Sequence, residues 1–237
     1  SNPPFGRKSS VLHASEADKA VVRSDFLAST NNKQLNFVQH IYSLLKPGGR
    51  AAVIVPDNVL FEGGAGEVIR RKLIHECNLH TVLRLPSGIF YAHGVKANVL
   101  FFQRRRGGSA PNTKEVWFYD LRTNQRFSLK QNRLVGSDLS EFVVAFNPEN
   151  IRKRVPSWTE TTPAGRWRAF TREEILARDK ANMEISWLRD DSLEDSSSHA
   201  GPLALAEAII DDLRASLEQI EDVAAELRVR VGRPEVA

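Results

Sequence analysis

The chain is 237 residues long, 41% hydrophobic and 26% charged, with a formal net charge of +4. Such a length buries a sizeable core, and such a composition excludes collagen-like, mucin-like and wholly disordered chains. The longest apolar runs, residues 51–55 and 99–102, fall far short of a membrane span, and the positive charge permits a polyanionic partner without demanding one.

In chain order, the first signal is the segment Ser1-Asn2-Pro3-Pro4-Phe5-Gly6, a pattern suited to chemistry rather than to a frayed tail. Between residues 25 and 45 the apolar positions Phe37, Val38, Ile41, Leu44 and Leu45 take helical spacing, and Lys46-Pro47-Gly48-Gly49 ends that helix. Residues 51–55, all apolar and closed by Pro56, predict a strand buried on both faces. Residues 66–77 predict a second helix with Val68, Ile69, Leu73 and Ile74 on its inner side. Residues 79–85 and 98–103 predict two further strands, and residues 115–119 an edge strand.

Helices alternating with apolar strands predict an α/β fold with a mostly parallel sheet. The second and third strands are joined by residues without a helical pattern, which makes them antiparallel neighbours. Beyond residue 145 the character changes. Arg152, Lys153, Arg154, Arg166, Arg168 and Arg172 crowd a stretch that also holds Trp158 and Trp167, with Glu160 as its single acid. Residues 194–201 read as a polar linker. After it Leu203, Ala206, Ile210, Leu213, Leu217, Ile220, Ala224, Leu227 and Val231 recur every three or four positions, the seam of a long helix that wants a partner.

Cys77 is the lone cysteine, so this chain has no internal disulfide and no cysteine-based zinc cluster; nothing in it reads as a secretory leader, and the cysteine usage is that of a cytoplasmic protein. The six histidines show no metal-ligand spacing, and no metal is expected.

Asn2-Pro3-Pro4-Phe5 is the segment with a definite chemical use. The exocyclic amine of a nucleobase is a poor nucleophile because its lone pair is delocalised into the ring. Two acceptors that engage its two hydrogens pull the nitrogen towards a tetrahedral shape able to attack a methyl group. The Asn2 side-chain oxygen and the Pro3 carbonyl are suited to be those acceptors, and consecutive prolines hold the carbonyl rigidly. Phe5 offers a flat face to a base rotated out of a duplex. No general base is needed, since rate comes from positioning. For four residues alone an ordinary proline-rich turn is the stronger reading.

Longer blocks decide between these. Asn2 to Gly6, residues 37–56 (FVQHIYSLLKPGGRAAVIVP), 58–71 (NVLFEGGAGEVIRR), 77–103 (CNLHTVLRLPSGIFYAHGVKANVLFFQ) and 116–124 (VWFYDLRTN) closely resemble the modification (M) subunit of type I restriction-modification enzymes, the adenine-specific DNA methyltransferases. The resemblance implies a partial Rossmann-like methyltransferase sheet that uses S-adenosylmethionine, followed by a helical C-terminal region. It implies the organisation 1–145, the C-terminal half of a methyltransferase domain; 146–200, a basic irregular connector; and 201–233, a long helix for partner docking. Asn2, Pro3, Pro4 and Phe5 take catalytic roles. Phe90, in the loop between the second and third strands, would touch the flipped base, and Lys96 would reach a phosphate. In that family the glycine-rich cofactor loop precedes the catalytic tetrapeptide, so it is expected upstream of Ser1, and the fragment is expected to be inactive alone. The implied partners are double-stranded DNA and the specificity and restriction subunits.

Plainer alternatives stand beside each of these. A core plug is the more usual role for an aromatic such as Phe90, and a solvated side chain for a lysine such as Lys96. Gly63-Gly64-Ala65-Gly66 suits a structural helix start better than a cofactor cradle. The basic stretch either tracks a DNA backbone or is simply solvated. The heptad tail folds back, docks a specificity subunit or pairs with its own copy. The tetrapeptide also serves enzymes that methylate cytosine or a protein glutamine. The chain as a whole is alternatively a non-catalytic module that binds the specificity subunit.

Overall fold

The computed structural model describes residues 1–5, 23–90, 95–125, 127–129 and 132–191. Residues from Ser1 to Arg189 form one compact unit; a second begins at Asp190 and lies almost wholly outside the described residues, as does the heptad stretch 201–233.

Helix α1 (Lys33–Leu44) starts one turn before the apolar spacing that begins at Phe37, where Asn32 caps it: the Asn32 side chain accepts from the backbone N–H groups of Gln34 and Leu35. It buries Leu35, Val38 and Tyr42 along one face, and the turn after it places Gly48 at φ +90°. Strand β1 (Arg50–Pro56) follows, then the single turn α2 (Asn58–Phe61) and helix α3 (Ala65–Glu76). Ile69, Leu73 and Ile74 of α3 face the core, whereas Val68, expected beside them, is 42% exposed. Next come β2 (Cys77–Arg84), β3 (Ala97–Arg104) and β4 (Glu115–Asp120). Helix α4 (Ser140–Phe146), strand β5 (Trp167–Thr171) and helix α5 (Arg172–Ala177) complete the described elements longer than a 3-10 turn; the Thr171 side chain and Glu174 cap α5 reciprocally.

The five strands lie in the order β1-β3-β2-β4-β5. Strand β3 pairs antiparallel with both β1 and β2, β4 pairs antiparallel with β5, and only β2 and β4 pair in parallel. The sheet is therefore mostly antiparallel, not mostly parallel. The crossover from β1 through α3 does bring β2 back in the same direction, as expected. After β2 the chain returns as β3 between the two, converting one parallel pairing into two antiparallel ones. Strand β4 is not an edge either, because β5 covers it. That fifth strand lies in the stretch expected to be an irregular connector: alternation of Trp167 and Ala169 with Arg168 and Phe170 carries a strand through a composition that looks like basic loop.

Each face of the sheet has its own core. On one, α1 and α3 pack Leu35, Val38, Ile69 and Leu73 against Val53, Leu79, Leu100 and Phe118. On the other, Phe142 of α4 joins Leu83, Trp117, Tyr119 and Trp167, with Phe5, Phe90 and Phe101 packed at its margin. Among the described residues no helix is long and apolar enough to cross a membrane.

Candidate functional site

The opening residues enter the structure at β1. The Ser1 backbone nitrogen donates to the Ala52 carbonyl at 2.7 Å, and Ile54 N–H donates to the Ser1 carbonyl at 3.0 Å. Bonds to the residues on either side of Val53 are the pattern of a parallel bridge. Since β3 occupies the other side of β1, Ser1 runs along the edge of the sheet.

Four residues later the chain is tied a second time. The Phe5 carbonyl accepts from Gln34 Nε2 at 2.9 Å, and Gln34 is nearly buried. Asn58 Nδ2 bonds to Gln34 Oε1 and Glu62 Oε2, both at 3.0 Å, and Asn32 Nδ2 reaches the same Glu62 oxygen at 2.8 Å. This polar chain spans α1 and α2. Between the two ties Pro3 is buried while Asn2 and Pro4 are exposed. Among the described residues neither the Asn2 side chain nor the Pro3 carbonyl has a hydrogen-bond partner. Two acceptors on a held backbone are thus left with their lone pairs open.

Phe5 meets Phe90 edge to face, with ring centroids 5.4 Å apart and planes inclined by 65°. Both rings are half-buried and rest on the second core, so Phe90 packs as a core plug while still presenting a surface beside Phe5. Lys96 is exposed; its carbonyl accepts from Asp57 N–H at 3.0 Å, and its side chain enters no hydrogen bond or ion pair among the described residues. Local sequence signals missed Gln34, Asp57 and Arg122, because each acts across a gap of 29 to 65 positions that no spacing rule spans. Burial raises the Asp57 carboxyl, but hydrogen bonds and charge from Arg122 outweigh it and hold the group below its ordinary range.

Several cations of the basic stretch serve the fold. Arg154 is buried: it donates to the Phe146 carbonyl at 2.7 Å and to Thr81 Oγ1 at 3.0 Å, and lies over the Phe146 ring. Arg166 Nη1 holds the carbonyls of Asp120 and Thr123 at 2.8 and 2.9 Å. Arg168 stacks 3.6 Å from the Trp158 ring centre. Arg152 and Lys153 remain exposed.

The Gly63–Gly66 turn is filled from within. Gly64 takes φ +58° at the start of α3, and side chains at Gly63 and Gly66 would press on Lys180 and Arg70 at 3.1 Å. At Gly63 and Gly66, then, the turn is closed by side chains of the same unit. The described residues include no group of three or more His, Cys, Asp or Glu side chains able to hold a metal.

The mixed sheet, with an antiparallel strand inserted between two parallel ones, thus carries the Asn-Pro-Pro-Phe segment at its edge. The chain belongs to the N-6 DNA methylase family, whose profile matches residues 1–185. It is 41% identical over 252 residues to the type I restriction enzyme EcoKI methylase subunit of Escherichia coli (strain K12), an alignment covering 95% of this chain and 46% of that protein. It is 39% identical over 254 residues to the StySJI methylase subunit of Salmonella typhimurium (strain LT2), again with 95% and 46% covered. The crystal structure of the EcoKI M protein superposes with a TM-score of 0.66 at 36% identity, covering 100% of this chain and 50% of that one. The chain thus spans about half the length of the curated relatives it matches.

Proposed function

We propose that the chain supplies the target-base side of an adenine-specific DNA methyltransferase within a type I modification subunit. The observation that carries this is the pair of unengaged acceptors, Asn2 Oδ1 and the Pro3 carbonyl, on a segment tied at Ser1 and Phe5 and flanked by the Phe5–Phe90 corner. The two acceptors take the hydrogens of the adenine exocyclic amine and raise the nucleophilicity of its nitrogen. Pro4 stiffens the segment, and Phe5 and Phe90 hold the extruded base by stacking, worth about 1–3 kcal/mol per base. Lys96 reaches a nearby phosphate.

The methyl donor is S-adenosylmethionine, held in the complete protein by residues other than those described; the residues here act on the acceptor amine. The long blocks favour adenine in DNA over cytosine or a protein amide. Residues 1–189, β5 included, form the target-base half of the catalytic domain, and 201–233 dock a specificity subunit, which brings the DNA site and the restriction subunit to the complex. The family match disfavours a purely non-catalytic module.

The test is single-turnover methylation by the complete modification subunit assembled with its specificity partner. Asn2→Ala should lower the rate by several orders of magnitude while leaving assembly and DNA affinity intact. A rate within threefold of the unsubstituted enzyme would eliminate the clamp.

A further inference from the structure

Phe90 sits in the loop that joins β2 to β3, and one guanidinium holds both stems of that loop. Leu85 N–H donates to the Ala97 carbonyl at 3.0 Å, closing the stem. Arg122 Nε donates to the Leu85 carbonyl and Nη2 to the Ala97 carbonyl, each at 2.9 Å. The same group makes a two-pronged pair with Asp57, Nη1 to Oδ2 at 2.8 Å and Nη2 to Oδ1 at 2.9 Å. Asn98 Nδ2 fixes the carboxylate further at 2.8 Å, and the Asp57 backbone N–H holds the Lys96 carbonyl. Past the stem, Gly88 (φ +83°) lies so close to the Phe127 carbonyl that a Cβ there would collide with it.

Asp57 directly follows β1, the strand that Ser1 bridges at Val53. Phe5 reaches β1 through four residues of its own backbone, and Phe90 reaches it through Arg122 and Asp57. Both rings are therefore referenced to one strand. The pair is nearly buried, with side chains 11% and 13% exposed. Buried ion pairs of this kind contribute little net stability over apolar packing, so a fork that satisfies two stem carbonyls and one carboxylate calls for a positional account.

We propose that the Asp57–Arg122 pair is a positioning device that sets where Phe90 stands against Phe5. Arg122 touches neither base nor donor; it acts through the loop. The functional consequence rests on the assignment of Phe90 as a base-holding wall, but the positional claim does not.

The experiment separates the two. With 4-fluorophenylalanine at position 90 of the full chain, Phe5→Leu measures the part of the fluorine shift that the Phe5 ring causes. Arg122→Met and Asp57→Asn should each remove at least half of that Phe5-dependent shift, with the double variant no worse than either single one. Arg122→Lys, which keeps the charge but cannot fork across two carbonyls, should behave like Arg122→Met. An undiminished Phe5-dependent shift in any folded one of these variants overturns the proposal; if Arg122→Met fails to fold, Asp57→Asn decides. In the complete methylase, Asp57→Asn should then lower kcat about tenfold at unchanged KM for DNA. Loss of the fluorine shift with methylation unaffected would leave the positioning intact and remove Phe90 from the base-holding wall.

Discussion

Phe5 and Phe90 meet as a corner, not as a sandwich: their planes are inclined by 65° at a centroid distance of 5.4 Å. A planar base fits a corner by stacking on one face with its rim against the other ring. Removing one wall, as in Phe90→Ala, should reduce kcat/KM of the complete methylase about 5- to 150-fold, the equivalent of roughly 1–3 kcal/mol of stacking. Phe90→Tyr should retain most of the activity. Unchanged kinetics in Phe90→Ala would leave Phe90 as core packing only.

Arg70 is 1% exposed and, among the described residues, has no carboxylate hydrogen-bonded to it; its donors go to the carbonyls of Val59, Glu62, Lys180 and Ala181 at 2.7–3.1 Å. Burial pushes its guanidinium down to about 10, against the pull of Glu67 and Glu62. It ties α2 and α3 to the turn after α5. Arg70→Met should lower the unfolding free energy by about 2–5 kcal/mol, since several buried carbonyls lose their donors at once. Urea unfolding with an unchanged m-value checks this; a loss below about 1 kcal/mol would show the carbonyls finding other partners.

His80 carries a pH signature. Burial first, and then the positive charges of Arg154 and Arg105, push its imidazole down to about 4 from an ordinary 6.5. Between those values the unfolded chain binds a proton that the folded chain refuses. Its contribution is therefore complete above pH 6.5 and is lost progressively as the pH falls towards 4. His80→Phe, which keeps the ring contacts with Phe101 and Phe146, should flatten the urea midpoint between pH 7.5 and 4.5. An equally steep pH dependence in that variant would assign the effect to other groups.

Cys77 is fully buried at the start of β2, and burial pushes its thiol up to about 12. The native chain at pH 8 should react with a disulfide reagent only as fast as it opens, and stoichiometrically within seconds in denaturing urea. Prompt reaction of the native protein would contradict the packing of β2 against α3.

Strands β1 to β4 and both long helices were legible because each is a bounded apolar run or a clean 3.6-residue pattern. The helix-free link before Ala97 also announced that β2 and β3 are antiparallel. The place of β3 between β1 and β2 was not legible, since strand order is a long-range choice that residues 97–104 do not encode locally. Strand β5 was hidden because Arg166 and Arg168 spend their charges on the Asp120 carbonyl and the Trp158 ring, contacts invisible in a composition count. At the candidate site, Asn2 to Phe5 and Phe90 stood out as motif and aromatic. Gln34, Asp57 and Arg122, which hold them, carry ordinary polar identities and acquire meaning only through the fold.

The most direct test of the base-holding corner places 2-aminopurine at the target adenine in duplex DNA bound by the complete methylase. Extrusion should raise its fluorescence, and stacking on the phenylalanines should hold that rise in check. We expect Phe5→Leu to increase the signal severalfold further without weakening DNA binding. No fluorescence rise with the unsubstituted enzyme, or an identical signal in Phe5→Leu, would contradict the account.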